Sequence, residues 1–415
     1  MTLSRLAVIA WRNLWRNRRR TLLTLASISL GVFLAIMFTA LQDRNWADMI
    51  DLAARLGGGH VTVQHEEFFD KPTLDRTVHA RQQLLSLPAS DPRVRHVTVR
   101  IVGQTMLATA GKSLGAGFIA YDPQLEDAET LSLLDAIEHG RAFEAADEQG
   151  IILGWRLADN LGVKLGKKVV YTMTDRDGEI INGLSRVTGI INTGSATADG
   201  FTALLPIDAV RAQLGYADDE ASQVAIFISD SRDSTEVATS LAGDLPPTAT
   251  AMPWHEVQHE LAAFMALKVG GTRFMEILIG LLVAAGIFNT LFMSVTERMR
   301  EFGIMMAIGF SPLELFAMVM LESLWLSLLG LVMAAAVTAG PYLYLASTGI
   351  DYTSMIGEQG TEVAGVGMSP ILKVGIFPEN VILIGAAALL ATLLAGIYPA
   401  IKAGRVVPVE TIRLV

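Results

Sequence analysis

The sequence contains four long apolar runs, at residues 21–42, 274–295, 315–345 and 381–401. A helix needs about 20 mostly apolar residues to cross the hydrocarbon core of a bilayer, because lipid offers no partner to an unpaired backbone group. Each run is long enough, and the third is long enough to tilt or to extend beyond the lipid. The sequence therefore predicts a membrane α-helical protein with four transmembrane helices, at 21–42, 272–296, 314–346 and 378–402.

Lysine and arginine concentrate on three flanks of these runs. They precede the first run (Arg12, Arg16, Arg18, Arg19 and Arg20), follow the second (Arg298 and Arg300) and follow the fourth (Lys402, Arg405 and Arg413). Short basic loops stay on the cytoplasmic side of a membrane. With four spans the three flanks fall on one side, which predicts cytoplasmic termini, 1–20 and 403–415, and extracytoplasmic segments at 43–271 and 347–377.

The first 20 residues combine arginines with apolar residues at helical spacing. Leu3, Leu6, Ala7, Ala10, Trp11 and Leu14 share one face. This pattern is typical of an amphipathic helix in the lipid headgroup layer, and it is equally compatible with a simple topogenic anchor. A cleaved signal peptide is disfavoured, because the apolar run that follows is longer than a signal core and no small-x-small site ends it.

The insert at 43–271 is predicted to be a large α+β domain. Residues 94–102 and 224–229 alternate as half-buried strands do, while 206–214 and 234–241 repeat as short helices do. Glycine-rich stretches separate these elements. The formal net charge of −10 argues against a nucleic-acid-binding surface, which would be basic. The chain has no cysteine, which excludes disulfides and thiolate metal sites.

One sequence pattern suggests metal chemistry. His255, Glu256 and His259 fit the H-E-x-x-H pattern, in which two histidines one helical turn apart bind zinc and the glutamate acts as a base. The extended pattern with a third ligand needs glycine and histidine where Ala262 and Met265 stand. A membrane zinc peptidase is therefore kept as an alternative, and a polar juxtamembrane helix without metal is the preferred interpretation.

The sequence shows no ATPase or hydrolase site of its own. Gly111, Lys112 and Ser113 resemble the end of a phosphate-binding loop, but Met106 stands where that pattern requires glycine. The pattern of a nucleophile elbow is also missing. We therefore predict no catalytic residues, no metal and no cofactor in this chain. If ATP drives the protein, another polypeptide must bind the ATP and Mg²⁺.

Three polar side chains fall inside the apolar runs, namely Glu276, Asn289 and Glu322. Polar groups are costly in lipid and usually face the protein interior, where they serve either function or packing. For Glu322 the sequence favours a structural hydrogen bond between helices over proton coupling, because a single acid without a basic partner makes a poor proton relay.

The end of the second run and the segment after it resemble a family signature. Residues 289–309 read N-T-L-F-M-S-V-T-E-R-M-R-E-F-G-I-M-M-A-I-G, which is similar to the signature of ABC-transporter permeases of the FtsX/MacB/LolC–LolE superfamily. The segments 11–21 and 398–413 look like that family's termini, although Thr411 replaces the usual alanine. Within the insert, 150–166 and Gly194 resemble the lipoprotein-releasing branch. The resemblance implies a type VII ABC permease with a MacB-type periplasmic core domain between its first two helices.

The resemblance also gives a role to 297–313, the short segment between the second and third spans. In the family this segment is a coupling helix that docks into a groove of the ATPase subunit. The residues expected to serve this contact are Glu297, Arg298, Arg300, Glu301, Gly303, Ala307 and Gly309. From charge and position alone, a solvated turn with topogenic arginines stays open as the alternative.

By the same resemblance, the chain is expected to be the permease subunit of an ATP-driven transporter in the bacterial inner membrane. It would pair with a second permease copy or paralogue, with a dimer of ABC ATPase subunits and, where one exists, with a periplasmic carrier or adaptor. The implied cargo is a lipoprotein or another amphiphile extracted from the outer leaflet of that membrane. The alternative from a different class is an FtsX-like signalling permease, which activates a periplasmic partner without transport.

Overall fold

The computed structural model of the chain describes residues 3–79, 82–351, 362–363, 366–367 and 371–406. Much of the predicted 347–377 loop and most of the predicted tail, with Thr411 and Arg413, lie outside the described residues. The chain divides into two compact units. The first comprises Met1–Asn45, Ala266–Asp351 and Ile371–Val415, and the second comprises Trp46–Met265 and Tyr352–Pro370.

The described helices are numbered here in chain order. They are α1 (Leu3–Leu14), α2 (Arg18–Leu56), α3 (Gln82–Leu85), α4 (Leu87–Ser90), α5 (Trp155–Leu161), α6 (Ala196–Phe201), α7 (Ile207–Leu214), α8 (Ser234–Ala242), α9 (Trp254–Val257), α10 (His259–Glu297), α11 (Met299–Ala307), α12 (Pro312–Thr348) and α13 (Pro378–Gly404). Three 3-10 turns accompany them, at Trp15–Asn17, Ser132–Leu134 and Ser231–Asp233.

The described strands follow the same convention. They are β1 (Val61–His65), β2 (Val78–His79), β3 (Val94–Ala108), β4 (Ser113–Tyr121), β5 (Ile137–Gly140), β6 (Gly150–Gly154), β7 (Lys168–Thr174), β8 (Ile180–Ile191), β9 (Thr202–Pro206), β10 (Glu220–Ala221), β11 (Gln223–Ile228), β12 (Ala249–Pro253), β13 (Ile350–Asp351), β14 (Glu362–Val363), β15 (Val366–Gly367) and β16 (Ile371–Leu372).

Four helices in the described part of the chain are long and apolar enough to cross a membrane, namely α2, α10, α12 and α13. They confirm the predicted four-helix architecture. α12 starts at a capping box, in which the Ser311 hydroxyl accepts from the Glu314 backbone N–H and the Glu314 carboxylate accepts from the Ser311 N–H. At the start of α13, the Asp43 carboxylate accepts from the Phe377 N–H at 3.1 Å and from the Asn380 amide at 2.7 Å. These contacts satisfy backbone donors that a helix start leaves unpaired.

Helix α12 is the most enclosed of the four. Its Gly330 lies directly against α2, where an added Cβ would come within 2.6 Å of the Ile28 side chain. Small residues permit such close helix packing in lipid. By contrast, only 11% of the most apolar window of α10 and of α13 is buried, against 44% for α12. The apolar faces of α10 and α13 are therefore available to lipid or to another chain.

Helices α2 and α10 extend well beyond the predicted spans. α2 continues past residue 42 to Leu56, and α10 begins at His259, ahead of residue 272. The predicted boundaries of the insert, at 43 and 271, therefore fall inside helices. The extensions pack on each other through the buried side chains of Met49, Ile50, Ala53, Leu261 and Met265. Apolar residues at helical spacing continue these helices after the continuous apolar runs have ended.

The second unit is built on a mixed sheet of ten strands. The strand order is β12-β1-β11-β3-β4-β9-β6-β8-β5, and β7 pairs with β3 and β8. The pairs β4–β9 and β6–β8 are parallel, whereas the other pairs of this sheet are antiparallel. The predicted strands at 94–102 and 224–229 correspond to β3 and β11, and the predicted helices correspond to α7 and α8. The α+β class of the insert is confirmed.

A fully buried ion pair lies inside the second unit. Arg100 Nε lies 2.6 Å from Glu126 Oε1, Nη2 lies 3.0 Å from Oε2, and neither side chain is exposed. Arg100 also donates to the carbonyl oxygens of Gly57, in the turn after α2, and Thr130. Arg100 thus donates to three residues, and both carboxylate oxygens of Glu126 accept from it, so the pair ties this turn to β3 without leaving a buried charge unpaired.

The helix that the zinc alternative requires is interrupted. α9 ends at Val257, Gln258 leaves the helical region with φ −112° and ψ 66°, and α10 begins at His259. The two histidines of the pattern therefore do not lie one turn apart on a continuous helix. The His259 ring contacts Phe69, at 5.2 Å between ring centroids. The H-E-x-x-H match lacks the geometry that gives the pattern its chemistry.

Candidate functional site: helix α11 and its polar network

Helix α11 lies between two of the membrane helices and is bounded by two turns. α10 ends at Glu297, and Arg298, with φ −103° and ψ 11°, turns the chain before α11 begins at Met299. The turn into α12 passes through Gly309, whose φ of +109° favours glycine. The predicted 297–313 segment is therefore a short helix with a defined start and end, and not an irregular turn.

One face of α11 is anchored in the bundle. Phe302 is fully buried in a cluster that includes Leu315 and Met318 of α12 and Ala400 of α13. Gly303, also buried, lies beside it in the helix. Burial of one phenylalanine side chain contributes about 1.5–3 kcal/mol. This contact packs α11 against two membrane helices.

The opposite face of α11 is exposed. Arg300, Ile304 and Ile308 follow one another at intervals of four residues, with Ala307 beside them, and residues four apart share one face of a helix. Ile304 is 45% exposed and Ile308 is 75% exposed. The two exposed isoleucines form a small apolar surface that is open to another protein or to lipid. We call Arg300, Ile304, Ala307 and Ile308 the outer face of α11, although Ile308 is the residue directly after the last turn of the helix.

Arg298 does not belong to the outer face. Its Nη1 lies 3.0 Å from both carboxylate oxygens of Glu322 on α12, and its Nε lies 3.2 Å from Glu301. The side chains of Arg298 and Glu322 are only 8% and 9% exposed. Arg298 is therefore turned into the bundle and away from the outer face in the single chain, and its expected contact with an ATPase stays a prediction. Glu322 has a basic partner after all, since Arg298 reaches it from the turn before α11.

The network continues into the N-terminal segment. Arg16 Nη2 lies 2.6 Å and 2.7 Å from the two carboxylate oxygens of Glu301. Arg20, one helical turn later, pairs with Glu297. Asn13 Nδ2 donates to Glu322 at 2.8 Å. We define the polar network by its members: Asn13, Arg16, Arg20, Glu297, Arg298, Glu301 and Glu322.

Burial divides the network into a strong inner pair and a weaker outer one. Arg298 and Glu322 are buried, so the loss of one would leave the other charge unpaired, which typically costs about 3–5 kcal/mol. Arg16 and Glu301 have side chains 53% and 40% exposed, and solvent screens their attraction. Burial raises the pKa of the Glu301 carboxyl, but hydrogen bonds from Arg16 and Arg298 outweigh it and hold the pKa below its usual value. Glu301 is therefore a carboxylate at neutral pH.

Helix α1 packs on the bundle with its apolar face. Leu6, Ala10 and Leu14 are buried, and Trp11 contacts Trp325 of α12 edge-on, with 5.2 Å between ring centroids. The apolar face predicted for the lipid headgroup layer is thus covered by protein. The helix is amphipathic as predicted, but what it covers with that face is α12 and its neighbours.

The other two intramembrane polar residues differ in their surroundings. Glu276 is half-buried and accepts a hydrogen bond from the Thr39 hydroxyl of α2 at 2.8 Å, which links the first two membrane helices. Asn289 is exposed on α10. Glu276 and Glu322 thus lie against other helices of this chain, as polar groups in membrane helices usually do, whereas Asn289 lies on the exposed face of α10 in the single chain.

Some members of the site were not anticipated from the sequence as site residues. Ile304 and Ile308 read as ordinary apolar helix positions, and Arg16 and Arg20 read as topogenic charges. A signal for the latter was present, however. Arg16 and Arg20 are four residues apart, and so are Glu297 and Glu301. Residues four apart lie on the same face of a helix, so the two pairs have matching spacing and opposite charge.

Two protein-family models match the chain. The model described as FtsX-like permease C-terminal matches residues 273–408, and the MacB-like periplasmic core domain model matches residues 21–243, more than half of the chain. With the four apolar helices, these matches define a class, that of membrane permeases of ABC transporters. Within that class, the chain belongs to the family of FtsX-like permeases that carry a MacB-like periplasmic core domain.

Relatives of known name show the same class with different cargo. The chain is 23% identical to the lipoprotein-releasing system transmembrane protein LolC of Xylella fastidiosa, over 96% of this chain and 95% of that protein. It is 21% identical to an uncharacterized ABC transporter permease of Methanocaldococcus jannaschii, over 100% of this chain and 98% of that protein. It is 24% identical to the pyoverdine export ATP-binding/permease protein PvdT of Pseudomonas putida, over 97% of this chain but only 58% of that protein.

Proposed function

We propose that this chain is the permease subunit of an ATP-driven transporter of the mechanotransmission type, and that α11 receives the mechanical input from a separate ATPase dimer. The orientation that fits this role has both termini and α11 in the cytoplasm of a bacterium and the sheet unit outside the inner membrane. The basic flanks of the membrane helices support this orientation.

The observation that carries the proposal is the division of α11 into two faces. The outer face offers Ile304 and Ile308 to a partner, while Phe302 is fixed among the membrane helices. Motion passes between subunits only where packed elements touch and have two arrangements. A short helix with one face for a partner and one face in the bundle meets the first requirement.

The polar network supplies the path from α11 into the bundle. A displacement of α11 moves Arg298, which holds Glu322 of α12, and moves Glu301, which holds Arg16 before α2. Charge-assisted hydrogen bonds are directional and roughly twice as strong as neutral ones. The two links therefore connect one push on α11 to two membrane helices.

For the cargo we propose an amphiphile, with a lipoprotein as the specific candidate. The full-length likeness to a lipoprotein-releasing permease supports this assignment. The exposed apolar faces of α10 and α13 are surfaces along which an acyl chain could lie. A second permease copy or paralogue would complete the membrane part, and a periplasmic carrier or adaptor would receive the cargo.

The test uses the complex purified from native membranes through a tag on this chain. The double variant Ile304→Glu/Ile308→Glu places two charges on the outer face without touching the network. The matched control is Ile180→Glu, since Ile180 is 73% exposed and lies on β8 of the sheet unit. We expect the α11 variant to fold, to lose the copurifying ATPase subunit and to lose cargo release, while the control keeps both.

The readouts are the ratio of ATPase subunit to permease, the ATP hydrolysis of the complex in nanodiscs, and release of bound lipoprotein or lipid measured by mass spectrometry. An α11 variant that retains the ATPase subunit and wild-type release would refute the coupling role. A wild-type complex that hydrolyses ATP but binds and releases no amphiphile would favour the signalling alternative.

A further inference from the structure

A polar cavity of about 300 Å³ lies inside the first unit. This volume is at the lower end of the roughly 300–1,000 Å³ usual for small-molecule sites. Its polar wall includes Arg16, Arg20 and Arg298 with Glu297, Glu301 and Glu322, and its apolar wall is made by Leu14, Leu291 and Leu326. A cavity with both a charged wall and an aliphatic wall suits an amphiphilic group.

The cavity lies where two membrane helices end. It is bordered by the first turns of α2, near Thr21, and by the last turns of α10, near Ser294. The predicted spans begin at residue 21 and end at residue 296, so these turns lie at the depth of the lipid headgroups. The ligand most accessible at this depth is a phospholipid of the adjacent leaflet.

One buried donor in the cavity wall lacks a hydrogen-bond acceptor among the described residues. Arg298 is 6% exposed, and its Nη2 is buried without a hydrogen bond to any residue that the structure describes. Buried guanidinium N–H groups are nearly always satisfied, because an unpaired one costs most of its desolvation energy. Arg298 lines the cavity but its Nη2 is closed to solvent, so an acceptor in the cavity reaches this atom after a small shift of the guanidinium; a phosphate oxygen is a strong acceptor for arginine.

The remaining wall supplies acceptors. The Thr24 and Thr290 hydroxyls donate their protons to backbone carbonyls of their own helices, and the Thr21 hydroxyl donates to the Leu14 carbonyl at the end of α1. Each of these hydroxyl oxygens can therefore act towards a ligand only as a hydrogen-bond acceptor. Together with the three carboxylates they favour a ligand group that brings its own N–H donors, such as a primary ammonium.

The charges of the wall select between ligand types. Three arginines and three glutamates line the cavity, so their formal charges cancel. A purely anionic headgroup would add an uncompensated negative charge to a partly buried site, which is unfavourable. A zwitterion keeps the sum at zero, with its phosphate at Arg298 and its ammonium at the hydroxyl and carboxylate oxygens.

We propose that this cavity binds the phosphoethanolamine headgroup of a phospholipid from the leaflet next to α11. The cavity chemistry distinguishes ethanolamine from choline, because a quaternary ammonium has no N–H to donate. The inference depends on insertion in the membrane and does not depend on the coupling role of α11. A lipid held there would pack between the polar network and the first two membrane helices.

The test uses the full chain, purified in detergent and depleted of lipid, with native mass spectrometry as the readout. Phosphatidylethanolamine, phosphatidylcholine and phosphatidylglycerol with identical acyl chains are supplied at equal concentrations. We expect retention of the ethanolamine lipid to exceed that of the choline lipid by about tenfold, which is the effect of one charge-assisted hydrogen bond. Equal retention of the two, or stronger retention of the glycerol lipid, would overturn the proposal.

Substitutions in the cavity wall test whether the lipid binds in this cavity. Thr290→Leu fills the cavity and removes one acceptor without touching an ion pair, and Asn289→Leu is its neighbour on the exposed side of α10 and serves as the control. We expect the ethanolamine preference to fall in the first variant and to stay in the second. If Thr290→Leu does not fold, Thr24→Val removes a cavity hydroxyl with little change of volume. A preference that survives both cavity variants would place the lipid elsewhere and refute the site.

A soluble headgroup compound tests whether the cavity prefers an intact lipid or a free phosphoethanolamine compound. Glycerophosphoethanolamine carries the same phosphate and ammonium without acyl chains. Because Leu14, Leu291 and Leu326 contribute apolar contact, we expect it to displace the lipid poorly at equal concentration. Displacement as effective as that by the intact lipid would overturn the lipid assignment.

Discussion

The buried pair Arg298–Glu322 provides the sharpest test of the polar network. The perturbation is a double-mutant cycle with Arg298→Met, Glu322→Met and the double variant. Methionine is apolar and close in length to both side chains, so that the double variant replaces the pair with packing. Arg300→Met, on the outer face of α11, is the matched control for loss of an arginine.

The magnitude follows from burial and from the contacts that each variant leaves. Among the described residues, Arg298→Met leaves Glu322 buried with Asn13 as its hydrogen-bond donor, and Glu322→Met leaves Arg298 with Glu301. Each single variant should therefore lose about 3 kcal/mol of unfolding free energy, the low end for a broken buried pair. The double variant should lose about 2 kcal/mol less than the sum of the two, because no unpaired charge remains.

The assay is unfolding of the purified chain in mixed micelles, followed by tryptophan fluorescence. Trp11 and Trp325 report on the contact between α1 and α12, which lies near the network. The control Arg300→Met should change the free energy by no more than about 0.5 kcal/mol. If the two single variants add without a coupling energy, Arg298 and Glu322 do not form a functional pair, and the path from α11 to α12 loses its basis.

Three further predictions concern the sheet unit and the orientation of the chain. Arg100→Met should destabilise that unit by about 3–5 kcal/mol, because it leaves Glu126 buried without its cation, and hydrogen exchange measured on the full chain would detect the loss. Burial lowers the pKa of His60 despite a nearby aspartate, so the neutral form is favoured in the folded state. The free energy of unfolding should therefore be highest above the unfolded pKa of about 6.5 and should decrease as the pH falls below it. In thermal unfolding, His60→Gln should remove this pH dependence. Cysteine placed at the exposed residue Ser240 should react with an impermeant thiol reagent in intact spheroplasts and cysteine at Arg300 should not; the reverse labelling pattern would invert the proposed orientation.

Hydropathy was sufficient to locate the membrane helices, because a continuous apolar run has one physical explanation at that length. It was not sufficient to find where the helices end. In the extensions of α2 and α10 the apolar residues recur at helical spacing between polar ones, as at Met49, Ile50 and Ala53. This helical spacing was present in the sequence, but the predicted boundaries were set where the continuous apolar runs end.

The direction of individual side chains in α11 could not be read from the sequence. Arg298 lies in the turn between α10 and α11, where the helical phase is interrupted, so its charge did not reveal that it points into the bundle. Ile304 and Ile308 are apolar and would be assigned to a core by composition, although both are exposed. A contact surface reverses the usual relation between polarity and burial.

The most direct test of the central claim is photo-crosslinking from the outer face of α11 in living cells. A benzoylphenylalanine at Ile308 should form an adduct with an ABC ATPase subunit, identified by mass spectrometry, and the same residue at Ile180 should not. Both side chains are about equally exposed, at 75% and 73%, and Ile180 belongs to the sheet unit that is proposed to lie outside the membrane, so the comparison tests whether an ATPase adduct depends on the position of the probe. An adduct with an ATPase from Ile308 alone is the predicted result; efficient crosslinking from Ile308 to lipid or to other proteins, with no ATPase adduct, would contradict the account.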